Sequence, residues 1–458
     1  MQELLVMFSY ISFVDVFNFC IFLAFTCCYA YQLVYVGIGL VRKPKTFTSK
    51  KNHKYACLIS ARNESAVIGN LIQSIKNQKY PEKLVDIFVI ADNCTDNTAE
   101  IARKEGAFVI ERFNDELIGK GYALNYGINI IMRECLGTDL GDSICGMAKD
   151  GKILAPKGRR ISKNAGYEAF FVFDADNVLD SGYIAAMNRV YDSGYTVGTS
   201  YRNTKNFDSN WISSGYATWF LREARFLSQP RCRINSSCAV SGTGFFFDVK
   251  IMKKTGGWNW FLLTEDIEFA TNNILHANRI GYAHDAVLYD EQPVTFVDSW
   301  NQRFRWTRGF YQVFVHYGWP LLKGIFTSPK GYKFACYDML MTIAPGLLIT
   351  IIAILFNLVI LILGLCGVLS SGMAVMASLS SILFCLGNYI LFMFVLGVIT
   401  LFVEWYKVRA KGAAKVISMF TFPIFMLTYI PIAIVALFKK VGWKPIKHTI
   451  AVDVEDFK

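Results

Sequence analysis

Before Arg42 the chain has no lysine or arginine, and from Ile343 to Val403 it has no charged side chain of either sign. The first absence argues against a secretory leader, which starts with a basic region and carries a shorter apolar run. The second argues against a soluble domain for that stretch, which is long enough to cross a hydrocarbon core of about 30 Å twice. Residues 16–41 also lack Asp, Glu, Lys and Arg, and residues 416–438 are uncharged, although Pro423 and Pro431 interrupt them. Twelve cysteines are scattered without a single Cys-x-x-Cys pair, so neither a zinc site nor a disulfide framework is expected. Several lie in the apolar runs (Cys20, Cys27, Cys28, Cys366, Cys385), where a free thiol behaves as a small hydrophobe. No internal repeat is evident. No basic stripe with interleaved aromatics occurs, so no nucleic-acid partner is expected despite a net charge of +11.

What is present is strongly apolar, 53% of residues, and asymmetric in charge. Arg42, Lys43, Lys45, Lys50, Lys51 and Lys54 follow the first apolar run. The positive-inside rule therefore makes residues 1–41 a transmembrane anchor with an outer N-terminus, and puts residue 42 onwards in the cytosol; a multi-pass protein of the plasma membrane is expected. The excess charge then reflects that bias and attraction to an anionic lipid bilayer, with a polyphosphate substrate as the sharper alternative. Residues 404–415 (Glu404, Lys407, Arg409, Lys411, Lys415) read as a cytosolic connection within a C-terminal membrane region, 334–440. A full crossing by 416–438 would leave Lys439 and Lys440 outside, against the rule. The two prolines leave room for an interfacial or re-entrant segment instead.

Residues 50–295 alternate short apolar runs with helical periodicity. Strands are expected at 55–60, 85–91, 107–110, 168–173 and 195–201, and helices at 65–79, 95–105, 119–133 and 181–194, with Thr95 as an N-cap. In the helix at 65–79, Val67, Ile68, Leu71, Ile72 and Ile75 share one face. Strands alternating with helices imply an α/β, Rossmann-like domain with a mostly parallel sheet. Ligands of such sheets bind beyond the carboxyl ends of the strands, where Asp92 and Asp174 fall. Residues 136–166 break the rhythm and read as an inserted surface loop or short hairpin. Residues 296–333 mix aromatic and basic side chains, as amphipathic helices at a membrane surface do. The tail, 441–458, holds Trp443-Lys-Pro-Ile-Lys-His448, for which the sequence suggests no role.

Four short motifs carry chemistry. Asp174-Ala-Asp176 sets two carboxylates on a strand-end turn, a donor set for Mg²⁺ or Mn²⁺ shared with substrate phosphates. Such a cation neutralises charge on a departing diphosphate. Asp92 heads Asn-Cys-Thr-Asp96, and its carboxylate could accept hydrogen bonds from a base or ribose; Asp and Asn also favour plain turns. Ser241-Gly-Thr-Gly244 lets a ligand approach the backbone closely. In Gln302-Arg-Phe-Arg305-Trp306, residues 302, 305 and 306 share one helix face. That face offers an amide, a phosphate-binding fork and an indole.

Together with Thr264-Glu265-Asp266, this ordered set resembles the processive membrane glycosyltransferases of family two, the cellulose, hyaluronan, chitin and poly-N-acetylglucosamine synthases. The resemblance covers roughly residues 50–325 and implies a GT-A fold for the cytosolic domain. It implies a UDP-sugar donor held by Asn63, Glu64, Asp92, Lys120, Asp174, Gln302, Arg305 and Trp306. Of the family's Asp-Asp-Gly-Ser stretch only Asp92 carries over, since Ala91 stands in the first position. Metal ligation falls to Asp174 and Asp176. The catalytic pair is Asp266, the base that takes the acceptor hydroxyl proton, with Glu265. Gly242, Thr243, Gly244, Thr264 and Trp306 would line the acceptor, a growing glycan. One base and no covalent intermediate means inversion. The product implied is a β-linked capsular or extracellular polysaccharide, made and secreted; no cyclic-dinucleotide-binding domain is expected after the last apolar run.

Two rivals stand beside this reading. Three or four membrane segments are few for a glycan channel, which favours transfer of one sugar to a lipid. A transporter or channel without enzyme activity is the other: ionisable groups mark many transport paths, and residues 343–403 have none, which argues only against an ion pump, since a glycan path can be lined by aromatic and polar groups.

Overall fold

The computed structural model describes residues 2–140, 151–344, 346–368, 372–439, 448, 450 and 451. Two helices open the chain, α1 (Gln2–Tyr29) and α2 (Tyr31–Val41). The α/β part follows as β1 (Tyr55–Ala61), α3 (Ile68–Lys76), β2 (Val85–Asp92), α4 (Thr98–Lys104), β3 (Phe108–Arg112) and α5 (Lys120–Leu136). It continues through β4 (Ile153–Leu154), β5 (Ala169–Asp174), β6 (Val178–Leu179), α6 (Tyr183–Asp192) and β7 (Val197–Thr204). Next come α7 (Trp211–Glu223), α8 (Gln229–Arg233), β8 (Phe245–Asp248), α9 (Val249–Thr255), α10 (Glu265–Leu275) and β9 (Ile280–Asp290). The remainder is helical: α11 (Phe296–Thr327), α12 (Lys333–Ile343), α13 (Gly346–Leu365), α14 (Gly372–Val403), α15 (Gly412–Leu427) and α16 (Tyr429–Phe438).

The nine strands form one sheet in the order β4-β3-β2-β1-β5-β8-β7-β9-β6. The first βαβ units pair in parallel, β1 with β2 and β5, and β2 with β3. The α/β class thus holds, and the later strands make the sheet mixed. β8 runs antiparallel to β5 and β7, and the two-residue strands β4 and β6 pair antiparallel at the edges. Strand order reverses between β1 and β5, so the carboxyl end of β5, where Asp174 stands, flanks a topological switch point, and Asp92 at the end of β2 lies one strand away.

Both sheet faces are covered, which explains why these strands read as continuous apolar runs rather than alternations. Leu58, Phe88, Ile90, Phe170 and Val172 point to the face packed by α5 and by Trp258. Cys57, Ile59, Val89, Phe171 and Phe173 point to the other, against Ile68, Leu71, Ile72 and Ile75 of α3. The apolar stripe expected for that helix is therefore its buried face. Helix α4 starts three residues later than expected. Thr95 is not its cap, because its backbone N–H donates to Asn63 Oδ1 at 2.7 Å and holds it in the preceding loop.

The segment 136–166 is not a free loop throughout. Ile153–Leu154 extends the sheet, and Arg159 pairs with Asp86 and lies 4.9 Å over the Phe108 ring. Residues 141–150 lie outside the described residues.

Two helical stretches, Val375–Val403 and Gly412–Phe438, are long and apolar enough to cross a membrane. The pair Phe13–Tyr29 and Tyr31–Val41, bent by 42°, would make a third. Ile349–Leu365 is shorter. Asn18, Asn357 and Ser381 tie α1, α13 and α14 together, with Asn357 Nδ2 donating to Asn18 Oδ1 at 2.8 Å and Asn18 Nδ2 to Ser381 Oγ at 3.2 Å. Polar pairs of this kind hold apolar helices together in lipid. The region expected as interface helices begins with the single long α11. Its buried Arg303 donates to Phe425 O at 3.2 Å and to Thr428 Oγ1, at the break between α15 and α16. That guanidinium serves a carbonyl of the broken helix and fixes α11 against it.

Candidate active site

The site is built from loops at the carboxyl ends of β1, β2 and β5, the loop before β8, and the start of α10. The first two loops turn on asparagines in the left-handed region, Asn63 (φ 58°) and Asn93 (φ 51°). Asparagine tolerates this conformation and bonds locally. Asn93 clamps the loop after β3, accepting from Asn114 N–H at 2.7 Å and donating to Asn114 O at 2.8 Å. Asp92 is buried and ion-paired with Arg112 at the end of β3. Burial pushes its carboxyl pKa up against the pull of Arg112. The carboxylate expected to face a nucleoside therefore already has a partner inside the domain.

Glu64 caps α3 with its carbonyl, which accepts from Val67 N–H at 3.1 Å and Ile68 N–H at 3.0 Å. Its side chain meets His448, with Nδ1 3.0 Å from one oxygen and 3.2 Å from the other. The neighbouring Ile450 N–H donates to Glu291 Oε2 at 2.9 Å. The tail thus returns to the strand-end loops. Burial pulls the His448 imidazole down, but Asp176, Glu64 and Glu291 push it up to about 10.

Asp174 and Asp176 lie on one turn in unlike surroundings. Asp174 is about a third exposed and accepts from Lys120 Nζ, whose ammonium also donates to Gly242 O at 2.8 Å. Burial opposes charge on Lys120, yet Asp174 and Glu265 raise its pKa. Asp176 is buried and accepts from Glu291 N–H at 2.8 Å. Burial raises its pKa, and His448, Lys205, that N–H and Arg202 outweigh it to leave the carboxylate favoured. Among the described residues no group of three or more His, Cys, Asp or Glu could hold a metal ion. Two hard carboxylates on one turn still fit a cation that completes its shell with phosphate oxygens.

The loop Ser241–Gly244 lies between this turn and α10. Gly244 (φ 66°) has no room for a Cβ, which would collide with Leu288 Cδ2. Thr243 Oγ1 accepts from Asp174 N–H at 2.9 Å and donates to Asn177 Oδ1. Gly242 N–H donates to Asp266 Oδ2 at 2.6 Å. Asp266 and Glu265 occupy the first turn of α10, where the helix dipole favours an anion. Burial nevertheless raises both pKa values, and with Asp266 beside it Glu265 is pushed up to about 7.

Helix α11 closes the far side. A Cβ at Gly309 would stand 2.5 Å from Thr264 Cγ2, so glycine lets α11 rest against the start of α10. Arg305 Nη1 donates to Leu263 O at 3.3 Å. Trp306 stands edge-on to Tyr216, centroids 5.7 Å apart, and to Phe220 at 6.1 Å. Thr264 Oγ1 and Gln302 Oε1 are buried without a partner among the described residues. The structure thus joins Lys120, Asp174, Gly242, Thr243, Glu265 and Asp266 by direct contact or charge, and Thr264 and Arg305 adjoin them. Asn63, Glu64 and Asp176 belong to the same strand-end edge, Asp92 sits behind Arg112, and Trp306 packs in an aromatic cluster. Sequence reasoning missed Arg112, Arg202, Asp290, Glu291 and His448. Arg112 could have been found as a strand-end cation beside Asp92; His448 had no local signal.

A family model described as "Glycosyltransferase like family 2" matches residues 53–309. The beta-monoglucosyldiacylglycerol synthase of Synechocystis is 24% identical over 278 residues, 60% of this chain and 51% of that protein. The poly-beta-1,6-N-acetyl-D-glucosamine synthase of Staphylococcus epidermidis is 25% identical over 272 residues, 58% of this chain and 57% of that protein. The chain thus spans between half and three-fifths of these relatives' length. In structure, the Pyrobaculum calidifontis mannosyltransferase PcManGT, solved with GDP-Man and Mn²⁺, superposes with a TM-score of 0.54 at 13% identity, covering 93% of this chain and 99% of that one. That likeness establishes a GT-A-like fold. With more than half of its length matched by the family model, the chain belongs to glycosyltransferase family 2.

Proposed function

We propose that the enzyme is membrane-bound, transfers sugar from a UDP-sugar with inversion, and builds a β-linked polysaccharide. The observation that carries this reading is Asp266. Its carboxylate is held by Gly242 N–H at 2.6 Å on a loop whose carbonyl also binds the lysine paired with the Asp-x-Asp turn. A base and a diphosphate-end cation are thus joined through one residue. Asp266 takes the proton of the attacking hydroxyl, and its raised pKa keeps it basic enough to do so. Lys120 binds diphosphate oxygens. Gln302, Arg305 and Trp306 on α11 hold the diphosphate and acceptor at the membrane surface. Asp174 and Asp176 would hold Mg²⁺ or Mn²⁺, which supplies charge neutralisation to the leaving diphosphate. The complex of the structural neighbour with Mn²⁺ supports that assignment.

Two contacts support the proposed course of the C-terminal helices. Glu404, just after α14, accepts from Tyr201 OH at 2.8 Å, and His448 touches Glu64. Residues on both sides of α15–α16 therefore meet the catalytic domain, which supports a re-entrant or interfacial course for 412–438 rather than a crossing. The basic cluster from Arg42 to Lys54 supports a cytosolic catalytic domain in the plasma membrane. Secretion of the product rests on the Gln-x-x-Arg-Trp resemblance.

A second reading, transfer of one sugar to a lipid, is supported by the likeness to the glucosyldiacylglycerol synthase. Purified enzyme with Mg²⁺ or Mn²⁺, screened against UDP-sugars for UDP release, tests the common part. Product length separates the two readings: single-sugar lipid products reject polymer synthesis.

A further inference from the structure

Glu223 is a carboxylate beside the base to which neither sequence nor mechanism has given work. It ends α7, where the helical pattern changes to a π turn over Ala224–Ser228. Such turns are uncommon and recur at functional sites. Ser241 Oγ donates to Glu223 Oε2 at 3.5 Å, and the next residue, Gly242, donates its N–H to Asp266. Two carboxylates from two helices thus flank consecutive residues of one loop.

The cations around Glu223 are engaged elsewhere. Arg202 pairs with Asp290 and donates to Ser241 O at 3.2 Å. Arg231 holds Asp338 with both arms at 2.7 Å, and Arg222 donates to Gln32 Oε1 at 2.9 Å. Among the described residues Glu223 makes no ion pair within 4.0 Å, and the long bond from Ser241 is its one hydrogen bond. Burial pushes its pKa up; Arg202, Arg231 and Arg222 pull it down, and Asp266 adds to the rise. A half-buried carboxylate with one long hydrogen bond is short of donors. A sugar lying on the Ser241–Gly242 loop would bring hydroxyl donors to it.

We propose that Glu223 orients the acceptor: it accepts a hydrogen bond from a hydroxyl next to the one Asp266 deprotonates, and so selects which hydroxyl attacks. This rests on the polysaccharide reading above. In the transfer, the attacking oxygen bonds to the anomeric carbon, and the bond from that carbon to the diphosphate oxygen breaks with its electron pair leaving on the diphosphate. The hydroxyl proton passes to Asp266. Glu223 gains and loses no proton and acts as a positioning residue.

The test uses the full chain in lipid nanodiscs with UDP-glucose, UDP-N-acetylglucosamine and UDP-galactose. The acceptors are octyl β-glucoside, octyl N-acetyl-β-glucosaminide and dioleoylglycerol. Glu223→Gln should raise the acceptor KM about tenfold, the worth of one charge-assisted hydrogen bond, with a smaller change in donor KM. It should also broaden the linkage distribution, and Glu223→Asp should recover part of both. Equal changes in both KM values with unaltered linkage, or an acceptor KM that does not move in either variant, overturn the inference while the proposed function stands. Transfer only to dioleoylglycerol, which has a single hydroxyl, overturns both the inference and the polysaccharide reading, as does transfer to no acceptor. A wild type that releases UDP from none of the donors removes the UDP-sugar reading itself.

Discussion

Gly242 donates its backbone N–H to Asp266 Oδ2 at 2.6 Å while its carbonyl accepts from Lys120 at 2.8 Å. One peptide segment therefore fixes the spacing between the proposed base and the cation at the diphosphate end. Asp266→Asn keeps the shape and removes the basicity. Transfer should fall by about 10²–10⁴, with UDP binding by calorimetry within about threefold of the wild type, a change under about 0.7 kcal/mol. Full transfer activity in this variant would reject the assigned base.

Glu265 gives the enzyme a pH signature. Burial first, then Asp266, lifts its pKa from the ordinary 4.5 to about 7 against Lys120 and Arg305. Between those values the folded chain holds a proton that the unfolded chain has released, so this group's contribution to stability falls as pH rises through the window. Thermal unfolding at pH 5 and pH 7.5 should show that slope, and Glu265→Gln should flatten it. The acid limb of UDP release should be shifted upward from that of an ordinary aspartate, because burial raises Asp266 as well; an unshifted limb contradicts the assignment.

His448 occupies a carboxylate assigned to the donor. If the tail and the nucleotide compete for Glu64, His448→Ala should tighten UDP binding about threefold to tenfold by enlarging the competent population. Titration calorimetry on the full chain measures this directly. Unchanged or weaker binding in the variant would mean that the tail does not compete.

Gly309 is the seat of α11 on the active site. Gly309→Ala places a methyl group 2.5 Å from Thr264, closer than carbon atoms tolerate. Overpacking of this kind costs roughly 1–3 kcal/mol, so both the unfolding midpoint and the rate of sugar transfer should drop. A fully active, equally stable variant would show that the contact between α11 and α10 does not set the geometry.

The sequence disclosed the local rules well. Uninterrupted runs such as Ala169–Asp174 could only be strands covered on both faces, and the acidic residues at their ends followed from the β–α rhythm. What lay hidden was long-range. The pairing of Phe245–Asp248 against β5 and β7, which makes the sheet mixed, has no signal in a four-residue apolar run. Arg112 claims Asp92 from 20 residues away, and His448 reaches Glu64 across 384. Such contacts depend on how whole elements pack, which no window of neighbouring residues encodes. The Asp-x-Asp turn and Thr264-Glu265-Asp266 were legible because each chemistry is carried by adjacent residues. Glu223 was not, because its loop partner comes from a different element.

The outermost strands of the sheet, Ile153–Leu154 and Val178–Leu179, are two residues long each. Each pairs with only two residues of its neighbour, Val109 and Ile110 on one side and Leu288 and Tyr289 on the other, and an edge strand this short is a poor template for another chain.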